Sequence, residues 1–265
     1  MSQHPSSNSQ QWGWRRYTQS LWLLTTRDLK VRYSTSALGY LWSVLDPLAM
    51  SAIYWFVFTQ VFQRPAGTQP YVVFLLTAML PWVWFNNSLS DATKAFLQDE
   101  KLVRSIRIPR TIWVNRVVLS KAVEFVLSMP VLAFFAILSG ASINASLALF
   151  PVAAMLQAAL SVGLAMFIAP LVVLFRDLER AVKLVLRFMF YATPVIYGTT
   201  NLPLDLQPLA AFNPLTGIIG LYRAGFFPHE FSANNLIISV LMTAVILVSG
   251  LLFFRRMEPT VLKEI

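Results

Sequence analysis

The sequence predicts an all-α integral membrane protein with six transmembrane helices, and three observations carry that expectation. Of 265 residues, 57% are hydrophobic and only 12% are charged, about half the charged fraction of a soluble domain. Six apolar stretches occupy 38–62, 71–90, 117–138, 146–175, 184–197 and 236–254, and roughly 20 apolar residues in a helix cross a hydrocarbon core about 30 Å thick. Lys and Arg collect in alternate gaps between these stretches, as the positive-inside rule requires of a multi-pass protein.

The elements follow in chain order. Residues 1–13 are polar and expected to form a disordered cytoplasmic tail. They lack the basic, apolar, small-residue order of a signal peptide, so the first span is expected to serve as its own insertion signal. Between Trp14 and Tyr33, Trp14, Tyr17, Leu21 and Leu24 recur at helical spacing, while Arg16, Gln19, Ser20, Arg27 and Lys30 take another face. That pattern predicts an amphipathic helix lying in the cytoplasmic interface. Residues 34–265 form one six-span domain. Its fourth stretch, at about 30 residues, must tilt or bend, helped by Pro151, Gly163 and Pro170. The fifth is short, carries Arg187, and reaches spanning length only if it begins near Ala181.

Arg15, Arg16, Arg27, Lys30 and Arg32 precede span one, and Lys94, Lys101, Arg104, Arg107, Arg110 and Arg116 lie between spans two and three. Arg176, Arg180 and Lys183 separate spans four and five, and Arg255, Arg256 and Lys263 follow span six, whereas the other gaps hold only Arg64 and Arg223. Both termini are therefore expected in the cytoplasm. Residues 92–110 mix charge with Phe96, Leu97, Leu102, Val103 and Ile106 and stop at Pro109, which reads as a helix and turn exposed to the cytoplasm, though by themselves they fit better a solvated loop obeying that rule. Residues 198–235 are broken by Pro203, Pro208, Pro214 and Pro228 into fragments too short to span. Such backbone survives at membrane depth only when buried in protein or lining a watery cavity, which predicts re-entrant or interfacial helices on the outer side.

The chemistry that is missing narrows the function. The net charge of +9 sits in the gaps without an Arg/Gly-rich tract, so nucleic acid is not the expected partner. There is no cysteine and there are only two histidines, His4 and His229, so no thiolate or multi-histidine metal site and no disulfide is expected. No phosphate loop, zinc-protease, nucleophile-elbow or dinucleotide motif occurs, and no cofactor or catalytic residue is expected in this chain. Asp46, Lys121, Glu124 and Arg187 lie toward the cytoplasmic ends of their spans, where snorkelling or local pairing is the expected role rather than a midplane relay. Energy for uphill transport would then come from another polypeptide.

An ordered set of short motifs adds to this reading. Arg27-Asp28-Leu29-Lys30-Val31-Arg32-Tyr33 is followed by Leu38-Gly39-Tyr40-Leu41-Trp42 and Asp46-Pro47-Leu48. Then come Leu80-Pro81-Trp82, Phe85-Asn86-Asn87-Ser88, Ile108-Pro109-Arg110, Phe175-Arg176-Asp177-Leu178, Thr193-Pro194-Val195-Ile196-Tyr197 and Phe212-Asn213-Pro214-Leu215. In this order, from Arg27 to about Arg223, the chain resembles the membrane subunits of polysaccharide-exporting ABC transporters, and O-antigen and teichoic-acid exporters more than capsule exporters. The resemblance implies a bacterial inner-membrane permease for a lipid-linked glycan such as O-antigen, teichoic acid or a cell-wall galactan. It also implies two copies of this chain and two of a separate ATPase subunit that holds ATP and Mg. Relatives in the wider class move drugs or other lipids.

By the same resemblance a coupling helix maps onto residues 98–105. Gln98, Asp99, Glu100, Lys101 and Arg104 could contact the ATPase, Leu102 and Val103 could fill its groove, and Arg27 and Lys30 of the amphipathic helix form a second contact. A polymer channel needs faces on which sugars slide, which aromatic rings supply. The candidates are Tyr40, Trp42, Tyr54, Trp55 and Phe58 in span one and Phe188, Phe190, Tyr191 and Tyr197 in span five. The same residue types also form interfacial belts and lipid-facing filler. A secondary carrier would call for internal repeats and midplane polar sites, which are not found, and a multispan scaffold would not call for the ordered motifs.

Overall fold

In hydrocarbon the backbone cannot leave its amides and carbonyls to water, so an apolar run closes its hydrogen bonds within itself as a helix or in a closed barrel. This chain uses helices. The computed structural model describes residues 13–34, 39–61, 68–106 and 108–264, and no β-strand occurs among them. Apart from Gly13, the expected N-terminal tail lies outside the described residues, as do Arg64 and Arg107.

The order is α1 (Trp14–Tyr33), α2 (Trp42–Phe56), α3 (Tyr71–Ala92), α4 (Glu100–Ser105), α5 (Thr111–Leu138), α6 (Phe150–Leu174), α7 (Leu178–Ala192), α8 (Gln207–Ala211), α9 (Pro214–Arg223) and α10 (Ala233–Glu264). Four helical segments are long and apolar enough to cross a membrane: α3, α5, α6 with its leading 3-10 turn, and α10. They coincide with expected spans two, three, four and six. Expected span one falls on α2, which continues through a five-residue π-helical stretch, Val57–Val61.

Expected span five departs most from the sequence reading. Its helix, α7, starts at Leu178 and stops at Ala192, five residues before the expected end, and its 15 residues give only about 22 Å of helix. Pro194 ends it, because the residue before a proline is pushed out of the α region, and Thr193 is accordingly extended (φ −98°, ψ 139°). Four charged residues, Glu179, Arg180, Lys183 and Arg187, lie along it, while Leu184, Val185, Phe188 and Tyr191 are exposed and only Leu186 is buried.

α3 is the central helix. Of its most apolar 18 residues 78% are buried, against 17% in α10, which lies at the periphery. A helix that is apolar on every side belongs in the middle of a bundle, and Val73, Phe74, Leu75, Leu76 and Ala78 of α3 are fully enclosed. Pro81 lies inside it, and the Gln157 amide of α6 donates to the Pro81 carbonyl at 2.8 Å. α9 is buried along nearly its whole length, packed against α10, α6 and α3. Asn213 caps it by accepting from Leu215 N–H at 3.0 Å, and Pro214 stands at its first position, where a missing N–H costs nothing. It lies within 198–235, where short re-entrant or interfacial helices were expected.

Phe254 of α10 stacks on Phe96 at 6.1 Å, so the C-terminal half of α10 lies at the same end of the bundle as the α3–α4 turn and α1. We call this the terminal end and the opposite one the loop end. α6 and α10 make the closest helix pair. A methyl added to Gly163 would lie 2.8 Å from the Leu247 Cα, and one on Gly250 would collide with the Gly163 carbonyl. Small residues let membrane helices approach this closely. Gly250→Ala is therefore expected to push the two backbones apart at a cost of about 2 kcal/mol, read as a lowered thermal midpoint in detergent. An unchanged midpoint would show that the helices are not in backbone contact there.

Candidate functional site

At the terminal end a buried guanidinium ties three elements together. Arg116, in the second turn of α5, is 2% exposed. Its Nη1 donates to Asp28 of α1 at 2.8 Å, and its Nη2 donates to Asp99, just ahead of α4, at 2.6 Å. Arg27 donates to the other oxygen of Asp99 at 2.5 Å, and the Arg116 guanidinium also lies 4.8 Å from the Trp113 ring. One turn further along α1, Arg32 reaches Asp91 at the end of α3 at 2.6 Å and Glu124 of α5 at 3.7 Å. Lys121, 3% exposed, pairs with Glu124 at 3.0 Å and with Asp91 at 3.4 Å. At the start of α1, Tyr17 accepts from Asn115 at 2.8 Å. These partners advance together along both helices, so α1 runs beside α5 in the same direction. It buries Leu24 and Leu29, and leaves Trp14, Trp22 and Leu23 exposed. Trp14, expected on the apolar face of the interface helix, is exposed and, among the described residues, makes no packing against the bundle core.

The electrostatics of this joint are unequal. Burial alone would raise the Asp99 carboxyl, but hydrogen bonds from Arg27 and the charge of Arg116 outweigh it and hold Asp99 below its ordinary value. For Asp28 burial wins over the Arg116 charge, and the nearby Asp99 adds to the rise. Asp99 is therefore the carboxylate on which the joint depends.

Several of the coupling candidates are engaged within the chain. Asp99 and Arg27 are held in ion pairs within the chain, and Val103 is fully buried instead of free to fill a partner's groove. Gln98, Glu100, Lys101 and Arg104 face outward, as does Lys30 of α1, with Glu100 and Arg104 paired one turn apart at 3.0 Å. Leu102 is half-buried against the core.

The aromatic candidates divide likewise. Tyr54 and Phe190 approach at 5.9 Å, Phe190 and Tyr191 at 5.1 Å, and Tyr54 and Phe58 at 6.5 Å. Tyr197 donates to the Tyr191 carbonyl at 2.9 Å. Tyr54, Phe190 and Tyr191 border a cleft of about 550 Å³ between α2, α3 and α7, which Phe58 and Tyr197 do not line, and Trp82 of α3, 5.4 Å from Phe190, completes its wall. A second hollow of about 420 Å³ continues toward the loop end along Met189, Ala192, Tyr197 and Phe212. Trp42, Trp55 and Phe188 are exposed and do not border the cleft. The side chain of Tyr40 lies outside the described residues.

Trp82, Arg116 and Arg223 were not singled out by the sequence reading as site residues. Trp82 stood within the Leu80-Pro81-Trp82 motif, which was the available signal. Arg223 closes the loop end: it is buried, lies 3.6 Å over the Phe74 ring, and donates to the Val195 and Tyr197 carbonyls at 2.8 and 3.2 Å. The Tyr71 hydroxyl donates to the Ile196 carbonyl at 2.8 Å and Asn213 to the Thr193 hydroxyl at 2.8 Å. The Thr193-Pro194-Val195-Ile196-Tyr197 motif is thus a turn fixed from three sides, which orients the end of α7.

The family described as ABC-2 type transporter matches residues 19–227, from α1 through α9. The chain belongs to the ABC-2 type transporter membrane family. Among its relatives, the O-antigen export system permease protein RfbA of Klebsiella pneumoniae is 31% identical over 237 residues, 89% of this chain and 91% of that protein. The protein of the same name from Myxococcus xanthus is 29% identical over 88% of this chain and 89% of its own length. The polysialic acid transport protein KpsM of Escherichia coli is 23% identical over 90% and 93%. As the motifs implied, similarity is greater to O-antigen export permeases than to capsule ones. In this ABC-2 family member the polar joint, α4 and the cleft all fall within the matched residues.

The joint yields a direct test. Arg116→Met leaves Asp28 and Asp99 without their shared cation and is expected to cost about 3 kcal/mol. Arg104→Ala breaks only an exposed pair and is expected to change stability by less than about 0.5 kcal/mol. Thermal midpoints of the two purified variants check this, and equal midpoints would deny Arg116 its role. Because the Asp99 carboxyl is held below its ordinary value of 3.8, its contribution is present above that pH and is lost only as pH falls through the lowered value. Asp99→Asn is accordingly expected to destabilise more than Asp28→Asn at neutral pH.

Proposed function

We propose that this chain is the membrane subunit of an ATP-driven exporter that carries a polyprenyl-linked cell-surface polysaccharide across a bacterial inner membrane. It acts as a homodimer with two copies of a separate ATPase subunit, and ATP and Mg are bound by that subunit. Family membership and the names of the relatives support the permease role. The observation that carries the polymer path is the aromatic cleft along α2 and α7, open on one side of the single chain, which a second copy facing it would close into a channel. Tyr54, Trp82, Phe190 and Tyr191 offer π faces on which pyranose rings slide without a fixed hydroxyl pattern. α2 and α7 complete six spans, the shorter α7 reaching across with the fixed turn that follows it, and both termini lie on the cytoplasmic side.

Two experiments test this reading. An impermeant label in sealed cells is expected to reach cysteines placed at Thr68 and Asp205 but not one at Gln98. Labelling of Gln98 and Asp205 from the same side would overturn the topology. Reversing the outward charges of α4 with Lys101→Glu and Arg104→Glu is expected to reduce co-purification of the ATPase while the chain stays in the membrane.

Cargo is tested by depletion, which is expected to trap a glycan lipid on the cytoplasmic leaflet. Tyr54→Leu and Tyr191→Leu keep apolar bulk but lose the π face, and each is expected to slow export nearly as much as alanine. Full export by both leucine variants would make these aromatics packing residues. Depletion that traps no glycan lipid would favour export of a drug or another lipid.

A further inference from the structure

The cleft is not uniformly aromatic. Its wall holds two cations, Lys183 and Arg187, one turn apart on α7, and no carboxylate. Lys183 is already engaged, 2.6 Å from Glu179, which also receives Lys94 at 3.4 Å. Arg187 makes no ion pair among the described residues, yet it borders the cleft together with Asn86 of α3, whose amide donates one hydrogen to Asn87 at 3.2 Å and has a second to offer. Arg187 is exposed on the single chain, and with α7 as a span, as proposed above, a guanidinium facing lipid there is expensive, so such a residue marks a ligand or a pathway. Its planar fork matches phosphate oxygens bidentately. Beyond it toward the loop end stand Trp82, Phe190 and Tyr191, the faces suited to a sugar. Charge and stacking surface are thus arranged in the order in which a sugar carried on a phosphate presents them.

We propose that this cleft is a binding site for a phosphate or diphosphate group that bears a sugar, with Arg187 as the principal anion contact and Asn86 as an additional donor. The assignment rests on the exporter reading and deepens it: the first sugar lies against Trp82 and Tyr191 while Arg187 holds the anion at the terminal end of the path. Lys183 adds less, because its closest partner, Glu179, holds it at 2.6 Å.

The test uses the complete transporter, this chain with its ATPase subunit, in lipid nanodiscs. Radiolabelled polyprenyl diphosphate is expected to bind at least about tenfold more tightly than the uncharged polyprenol, the worth of one charge-assisted hydrogen bond. Arg187→Gln is expected to remove that advantage, Arg187→Lys to keep part of it, and Lys94→Ala, which changes a cation outside the cleft, to leave it intact. Arg187 has no partner to lose within the described chain, so its variants are expected to reach the membrane at wild-type levels. Displacement by inorganic pyrophosphate would show that the site takes the free anion. Failure of pyrophosphate to displace the lipid would show that it takes the anion only on its carrier.

A full diphosphate preference in Arg187→Gln would overturn the site, and so would equal competition by phosphatidylglycerol, which would reduce Arg187 to a side chain snorkelling to bulk lipid. The two readings fail separately. Depletion that traps no glycan lipid removes the exporter, whereas trapping together with an unaltered Arg187→Gln removes only this subsite.

Discussion

A guanidinium enclosed by protein must find carboxylates or pay heavily in lost hydration, and Arg116 meets that demand by drawing one acid from each of two separate segments. Asp28 comes from α1 and Asp99 from the turn before α4, so a helix outside the bundle and the loop between two long helices are held by one side chain of α5. Arg27, on the same turn as Asp28, takes the remaining oxygen of Asp99. A push on α4 therefore reaches α1 and α5 together, without slack from a flexible linker. The second tier, Arg32 with Asp91 and Glu124, repeats the arrangement a turn deeper and joins α3 to the same body.

The loop end is fixed by a different means suited to fewer charges. Arg223 spends its donors on the carbonyls of a turn and its face on Phe74, satisfying backbone groups that a break after α7 would otherwise strand. That turn gives the Val195, Ile196 and Tyr197 carbonyls partners just beyond the point where α7 stops at 15 residues. With α7 held at that end and α3 immobile in the centre, the cleft between them has firm walls on two sides. Tyr191 borders that cleft and is itself exposed, while Phe188 and Val185 of the same helix are exposed away from it.

Much of the fold was legible in the sequence. Four of the six apolar stretches became long helices because a run of about 20 apolar residues has one way to satisfy its backbone in lipid, and Pro-broken residues 198–235 became short helices, of which α9 is buried and α8 mostly exposed. The amphipathic helix at Trp14–Tyr33 and the helix inside 98–105 were also readable, one from period and one from family resemblance. The ends of α7 were less so: hydropathy placed that span at 184–197, whereas its charged first turns and Pro194 set the helix at Leu178–Ala192.

What the sequence could not decide was which polar side chains are partners and which are available. Asp99 and Lys101 stand two residues apart with the same apparent aptitude for a docking surface, but only packing turns Asp99 onto Arg116 and leaves Lys101 outside. Phe188 and Phe190 are both aromatic on one helix, and a rotation of about 200° between them puts Phe190 on the cleft wall and Phe188 away from it. The sequence by itself determined the solvent of the chain, its helical class and its family, since these depend on local composition and order. Pairing across elements, the joint at Arg116 and the Tyr54, Trp82 and Arg187 cleft were decided by tertiary structure, because each depends on distances between residues that the chain separates by tens of positions.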